Sequence, residues 1–458
     1  MAIKRADIGK PSRPGHPMAG TSPKKIGFLA VVAIGIGGMV GGGIFAVLGL
    51  AVQLARGAAP IAFLAAGMVA LLTSYSYARL SVTYPSQGGT VEFLNQGFGT
   101  GVFAGGLNVL LWISYVVMLS LYAYAFGSYG ARLVPAAAQH VAKPLLISGA
   151  IVVLTLLNVL GSSAVGKAEE WIVGFKLLIL LAFVAVGILS VDAHRLTPGQ
   201  WTSIPQMIAG GMIIFVAYEG FELIANTARD ARKPAATLPR AYLTAVVFVI
   251  ALYVLVSLVT VGNLPVGTIV AAKDYALAQS ARPFLGAFGF TLIAVAALLS
   301  TGSAINATLY GSARVSYIIA RDGELPEFIE HKIWHRPIEG LFITSALALL
   351  VANLFDLSSI SMMGSAGFLL IFAAVNAANV RLYRQTGSRL WLPVLGMLAC
   401  LGALGTLVWE RARTRPAELW VLVVMVGVSF IIEALYRHAT GRRIRPAFTT
   451  PGVQKGLD

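Results

Sequence analysis

Residues 26–55 are thirty consecutive positions without a charged side chain, and five glycines crowd the middle of the run: Gly37, Gly38, Gly41, Gly42 and Gly43. As one α-helix the run would be about 45 Å long, against roughly 30 Å of bilayer hydrocarbon. It is therefore long enough to cross a membrane. Each interior glycine costs about 1 kcal/mol relative to alanine, so the same stretch is poorly suited to staying one helix. Two readings are open. Gly38 and Gly42 have the small-xxx-small spacing that lets two helices pack closely. Alternatively the span breaks at mid-depth, and its half-helix ends hold a small charged ligand. Lipid tolerates such a break only where the freed backbone is buried in protein or lines a cavity.

The rest of the chain is equally apolar. Hydrophobic residues make up 57%, charged residues 12%, and mean hydropathy is +0.80, values far from those of a soluble domain. Uncharged stretches define twelve spans, at about 26–53, 58–82, 99–131, 144–163, 170–190, 203–227, 240–262, 284–318, 339–355, 359–380, 390–409 and 418–436. With the N-terminus inside, 24 of the 34 Lys and Arg residues fall in cytoplasmic segments, nine in external ones, and Lys176 within a span. The formal charge of +15 is thus a positive-inside signal and calls for no nucleic acid. Both termini are expected in the cytoplasm. The basic, Pro- and Gly-rich first 25 residues read as a disordered tail, and the apolar run behind them is too long for a cleaved signal peptide. The single cysteine, Cys400, excludes an internal disulfide.

Span six carries the second informative stretch, Ile214-Phe-Val-Ala-Tyr-Glu-Gly-Phe-Glu-Leu-Ile-Ala-Asn226. If helical, Glu219 lies roughly 20 Å from Pro205 and 15 Å from Arg229, near the midplane. An intramembrane carboxylate costs at least about 2.5 kcal/mol on insertion scales, so Glu219 is a functional candidate and Glu222, one turn on, a weaker one. The bland alternative is a carboxyl satisfied by a neighbouring helix. Lys176 stands five residues beyond Trp171, about 7.5 Å, so it is either an anchor snorkelling to the interface or a working charge. Asn108, Trp112 and Tyr115 share one face of span three and either line a pocket or pack.

Other chemistries are missing. All six histidines fall in tails or loops, so no intramembrane His-ligated metal or haem is expected; no cofactor and no catalytic residue is assigned. There is no GxxxxGK[ST], and Val40 stands where a dinucleotide fingerprint would need its third glycine. Two interrupted spans, five spans apart and opposite in direction, fit inverted repeats. The expected organisation is a tail over 1–25, repeat one over 26–190, repeat two over 191–385, helices 11–12 over 386–437, and a cytoplasmic tail over 438–458.

The chain resembles the amino acid–polyamine–organocation transporters, specifically the amino acid permeases. Five motifs carry the resemblance: Ile36-Gly-Gly-Met-Val-Gly-Gly-Gly-Ile-Phe45, Tyr84-Pro-Ser-Gln-Gly-Gly89, Phe215-Val-Ala-Tyr-Glu-Gly-Phe-Glu222, Asp230-Ala-Arg-Lys-Pro-Ala-Ala-Thr-Leu-Pro-Arg240 and Ser312-Ala-Arg-Val-Ser-Tyr-Ile-Ile-Ala-Arg-Asp-Gly-Glu-Leu-Pro326. The resemblance implies an all-α membrane protein with twelve transmembrane helices, built as a five-plus-five inverted repeat (LeuT-like) with helices 1 and 6 broken and two helices appended. It places the substrate carboxylate at Val40, Gly41, Gly42 and Gly43. Gly42 stands where relatives often carry Ser or Thr, so backbone amides must serve there. The substrate amine falls to carbonyls of Phe215, Val216 and Ala217, with Tyr218 and Glu219 lining or gating the pocket. Lys176 stands where sodium-independent members carry a lysine beside span one, and Glu222 joins it as a coupling candidate. Ser300, Thr301 and Ser303 correspond to the sodium position of sodium-using relatives and keep that rival open.

The implied function is secondary active transport of amino acids across the cell membrane by alternating access, coupled to protons. The rivals are a carrier of polyamines or other organic cations and a non-transporting amino acid sensor on the same fold.

Overall fold

The computed structural model describes residues 25–86, 88–160, 164–321 and 338–440. The expected tails, apart from Lys25 and 438–440, lie outside the described residues, as does 322–337 with the last part of the fifth motif.

The described chain is helical throughout. The first broken span is α1 (Phe28–Met39) followed by α2 (Gly43–Ala55), bent by 48°. Then come α3 (Ala59–Thr83), a short α4 (Thr90–Phe98), α5 (Val102–Gly130), α6 (Gln139–Leu160) and α7 (Ala164–Gly187). The second broken span joins α8 (Ile204–Ile213) to a 3₁₀ segment (Phe215–Thr227), bent by 44°. The remainder is α9 (Pro234–Asn263), α10 (Val266–Ala271), α11 (Ala276–Arg321), α12 (Ile338–Leu354), α13 (Leu357–Arg381), α14 (Tyr383–Thr386), α15 (Trp391–Thr414) and α16 (Pro416–Thr440).

Among the described residues nine helices are long and apolar enough to cross a membrane, or eleven spans if each bent pair counts as one. The expectation was twelve. The difference falls on α12, whose 17 residues reach only about 26 Å. Two further departures are local. Helix α4 was not anticipated: it is nine residues long and starts from Gly89, whose φ of +45° is a conformation glycine adopts without strain. Helix α11 contains Gly286 at φ +62°, so its first turns, 276–285, form a separate piece ahead of the expected span.

Burial separates centre from periphery. The most apolar windows of α5 and α13 are 83% and 94% buried, whereas that of α6 is 17% buried. Exposed side chains on the outer helices are Leu, Val, Ile and Trp, such as Leu160 on α6 and Val424 and Leu435 on α16, as a lipid-facing surface requires. Helices α1, α9 and the 3₁₀ segment pack chiefly on one another and on α3, and α5, α6, α11 and α12 make a second such group. Each break joins a member of the first group to a helix outside it, and the first meets α5 and α11 of the second group.

Candidate substrate site

The first break is stabilised at its carbonyl end by side chains from three other helices. Helix α1 stops as the Val40 amide closes back on the Ile36 carbonyl at 2.7 Å. The last carbonyls of a helix have no partner within it. Here Gly37 O accepts from Lys176 Nζ of α7 (3.2 Å) and Met39 O from Tyr253 Oη of α9 (2.6 Å). Ser300 Oγ of α11 donates to Val40 O at 3.1 Å and also contacts Gly41 O. On the other side, α2 begins at Gly43 and presents the unpaired amides of a helix N-terminus, the end that favours anions.

The glycines serve both readings of the sequence. A Cβ on Gly38 would lie 2.8 Å from Gly220 O and one on Gly43 2.8 Å from Ala217 Cα, so these positions allow the two broken spans to touch backbone to backbone. Gly42 is different. A Cβ there would press into the Tyr122 ring and lie 3.1 Å from the Thr301 methyl, both from the other helix group.

The second break is produced by serines. Ser361 and Ser365 of α13 each donate to Ile213 O at 2.7 Å, and the Val216 amide donates to Ser365 Oγ at 3.0 Å. Hydroxyls thereby replace the helical bonds that would carry α8 onward. Beyond them the chain runs for 13 residues in 3₁₀ geometry, where three or four is usual. The rise per residue is about 2.0 Å rather than 1.5 Å, so Glu219 lies roughly 20 Å from Arg229 instead of the 15 Å expected for an α-helix. The carbonyls of Phe215, Val216 and Ala217, all buried, lie in the first 3₁₀ turns; that of Ala217 also lies 3.4 Å from Tyr253 Oη.

The two carboxylates differ in how they are satisfied. Glu219 is 6% exposed; Tyr122 Oη donates to its Oε1 at 3.4 Å, and its Oε2 is buried with no hydrogen-bond partner among the described residues. Glu222 is 2% exposed and fully engaged. Its Oε2 accepts from Thr90 Oγ1 (2.9 Å) and Tyr77 Oη (3.3 Å), and its Oε1 from Tyr115 Oη. An orphaned buried acceptor is costly, typically 1–3 kcal/mol, and native structures hold few of them.

The remaining candidates divide. Lys176 is 1% exposed and directed at α1. Thr301 donates within its own helix, to Ala297 O at 2.6 Å, and turns only its methyl to the break; Ser303 is half-buried two residues on. Tyr218 points away, donating to Phe63 O of α3 at 3.0 Å. Of the three residues on α5, Tyr115 reaches a site carboxylate, whereas Asn108 bonds Asn95 and Trp112 bonds Thr344. Sequence reasoning missed Tyr122, Tyr253, Ser361 and Ser365. Tyr122 had a usable signal, since it lies seven residues beyond Tyr115 on the same helical face.

The sequence model of the amino acid permease family matches residues 26–434, nearly the whole described chain. The chain belongs to the amino acid permease family. This permease is 35% identical over 419 residues to the inner membrane transport protein YbaT of Escherichia coli K12, covering 91% of this chain and 97% of that one. It is 25% identical over 428 residues to the methylthioribose transporter of Bacillus subtilis, covering 88% and 91% of the two chains. The branched-chain amino acid permease BcaP of Lactococcus lactis is 26% identical over 443 residues, covering 90% and 93%. This permease is therefore a multi-pass membrane protein of a transporter family.

Proposed function

We propose that this permease is a secondary active transporter of amino acids that works by alternating access and is driven by protons. The observation that carries this reading is the pairing, through Tyr122, of an amide-lined helix start with an unpartnered carboxylate oxygen: the Tyr122 ring abuts Gly42 and its hydroxyl reaches Glu219. A ligand bearing a carboxylate and an ammonium on one carbon, as an α-amino acid does, complements both. The carboxylate belongs with the amides that open α2, at Val40–Gly43. The ammonium belongs with the 3₁₀ carbonyls at Phe215–Ala217 and with Glu219. Uptake of a labelled amino acid panel into proteoliposomes tests this, and no uptake of any amino acid would leave the sensor reading standing.

Glu219 also supports the rival, a carrier of polyamines or other organic cations. Glu219→Gln keeps size and hydrogen bonding and removes the charge. If the carboxylate pairs with a side-chain cation, binding of diamines and cationic amino acids is expected to fall at least tenfold more than that of neutral ones, read by competition in the same vesicles. Equal losses would make Glu219 a gating carboxyl.

For coupling, the reading favours Lys176 over sodium. The Gly37, Val40 and Gly41 carbonyls that a cation beside α1 would use already accept from Lys176 and Ser300. The proposed architecture is twelve spans, α12 included, with the two bent pairs as first members of inverted repeats 26–190 and 191–385. Both termini lie in the cytoplasm, and the inner-membrane relative in E. coli supports a cell-membrane location. An accessibility tag at 192–198 is accordingly expected to report outside and one at 229–234 inside; two tags on the same side would sink the inverted repeat.

A further inference from the structure

The seam between the two helix groups is bridged at two levels by tyrosines of α5 reaching glutamates of the 3₁₀ segment. Tyr122 meets Glu219, and Tyr115, two turns nearer the start of α5, meets Glu222. The backbones of α5 and the 3₁₀ segment scarcely approach one another, so these long side chains span a gap that main-chain packing does not close. The levels are unequal. Glu219 keeps an unpartnered oxygen, whereas Glu222 takes donors from α3, α4 and α5 at once. Of these, Tyr77 comes from α3, which packs with the 3₁₀ segment, while Tyr115 and Thr90 come from α5 and from α4, which packs on α5.

The same end of the 3₁₀ segment is tied down elsewhere. The Ile26 amide donates to Asp230 O at 2.8 Å and the Arg232 amide to Ile26 O at 2.9 Å, joining the start of the first broken span to the end of the second. Arg229 Nε donates to Pro85 O at 3.0 Å, and a Cβ on Gly89 would lie 2.5 Å from Asn226 Oδ1. The start of the first broken span and the end of the second are thus tied to each other. This tied pair faces α5 across the Tyr115–Glu222 contact.

We propose that the Tyr115–Glu222 contact is the inner latch of the transport cycle: it holds the 3₁₀ segment against α5 on the cytoplasmic side of the substrate site, and it parts when that side opens. Glu222 is on this account a positioning residue for alternating access and carries no ion. The latch rests on the transport reading above, but its test needs no substrate.

Ala225, one turn past Glu222 and 1% exposed, becomes accessible only if this side opens. Ala225→Cys is introduced, and native Cys400, fully buried among α3, α13 and α15, is kept as an internal control. Labelling by a thiol reagent is followed in the purified full-length protein. Tyr115→Phe removes one hydroxyl and is expected to raise Ala225→Cys labelling about tenfold, the scale of losing one hydrogen bond to a carboxylate, with Cys400 still silent. Glu222→Gln keeps an amide oxygen as a weaker acceptor and should act in the same direction to a smaller extent, and the double variant should add little to Tyr115→Phe. Tyr77→Phe removes a donor to the same carboxylate from within the 3₁₀ segment's own group and should leave labelling unchanged. Unchanged labelling in Tyr115→Phe overturns the latch. So does equal labelling in Tyr77→Phe, or parallel exposure of Cys400, since either would mean general loosening. If the latch pattern holds while no amino acid is taken up, the latch stands and the substrate reading falls.

Discussion

Leucine in place of Gly42 is expected to abolish substrate binding in a protein that still folds. The position has ordinary right-handed helical angles (φ −83°, ψ −14°), so backbone freedom is not what requires glycine there. Space is. Any Cβ meets the Tyr122 ring and the Thr301 methyl, and four added carbons must occupy the volume in front of the α2 amides while displacing the tyrosine that reaches Glu219. Overpacking of this kind typically costs 1–3 kcal/mol, which a protein with so extensive a core survives. Binding should fall at least a hundredfold, because the carboxylate site is filled and the amine site disturbed together. Ligand-induced thermal stabilisation in detergent reads this directly, since a ligand stabilises the state it binds. Gly405→Leu on α15, where a Cβ meets nothing within 4 Å, should bind as the native protein does. Normal binding by Gly42→Leu would reduce the glycine cluster to helix packing and move the site elsewhere.

The first break was legible because its cause is local. Glycines at 41, 42 and 43 make a continuous helix expensive wherever they sit, and a charge-free flank of that length leaves only the membrane to hold it. The break after Ile213 had no such local cause, and span six was read as interrupted only through its pairing with span one and the family resemblance. Ile214, Phe215 and Val216 continue a helix well enough, and what stops them is a pair of serines on α13, almost 150 residues away in sequence. Those hydroxyls compete with the backbone ladder, and nothing near residue 214 announces them. The same limit applies to Glu222. Its intramembrane position flagged it, but whether it is free or satisfied depends on Tyr77, Thr90 and Tyr115 converging from three elements, one of which, α4, was too short to foresee. Tyr218, which the resemblance placed with Glu219 at the pocket, shows that neighbours in sequence can face different helices. In 3₁₀ geometry residues one apart point about 120° from each other, so Glu219 faces α5 while Tyr218 faces α3.

On the coupling proposed above, Lys176 is the group that drives the carrier. Its side chain is buried, and Nζ lies against the Gly37 carbonyl at the end of α1, where it complements the negative end of a half-helix. Two effects oppose each other on its charge: loss of water disfavours the ammonium, and the carbonyl favours it. On the proposed mechanism, movement of α1 against α7 changes both, so that a proton binds with the cavity facing one side and leaves with it facing the other. On that proposal the charged lysine braces the broken span and the neutral one releases it. Lys176→Ala is therefore expected to retain substrate binding within a few fold, yet to lose both the response of uptake to an imposed pH gradient and the ability to accumulate substrate against its own gradient. Losing the donor to Gly37 O should also cost about 1–3 kcal/mol of stability, visible as a lower melting temperature. The measurement is radiolabelled uptake in proteoliposomes at several internal and external pH values, with and without sodium. Native uptake should need no sodium. Sodium-dependent uptake would instead point to Ser300, Thr301 and Ser303 and to a rearranged α1, whose carbonyls would have to exchange the Ser300 hydroxyl for the ion. A Lys176→Ala variant with an unchanged pH profile would leave the lysine as a helix cap, and the coupling proton would then have to be sought at Glu219, the site carboxylate with an oxygen to spare.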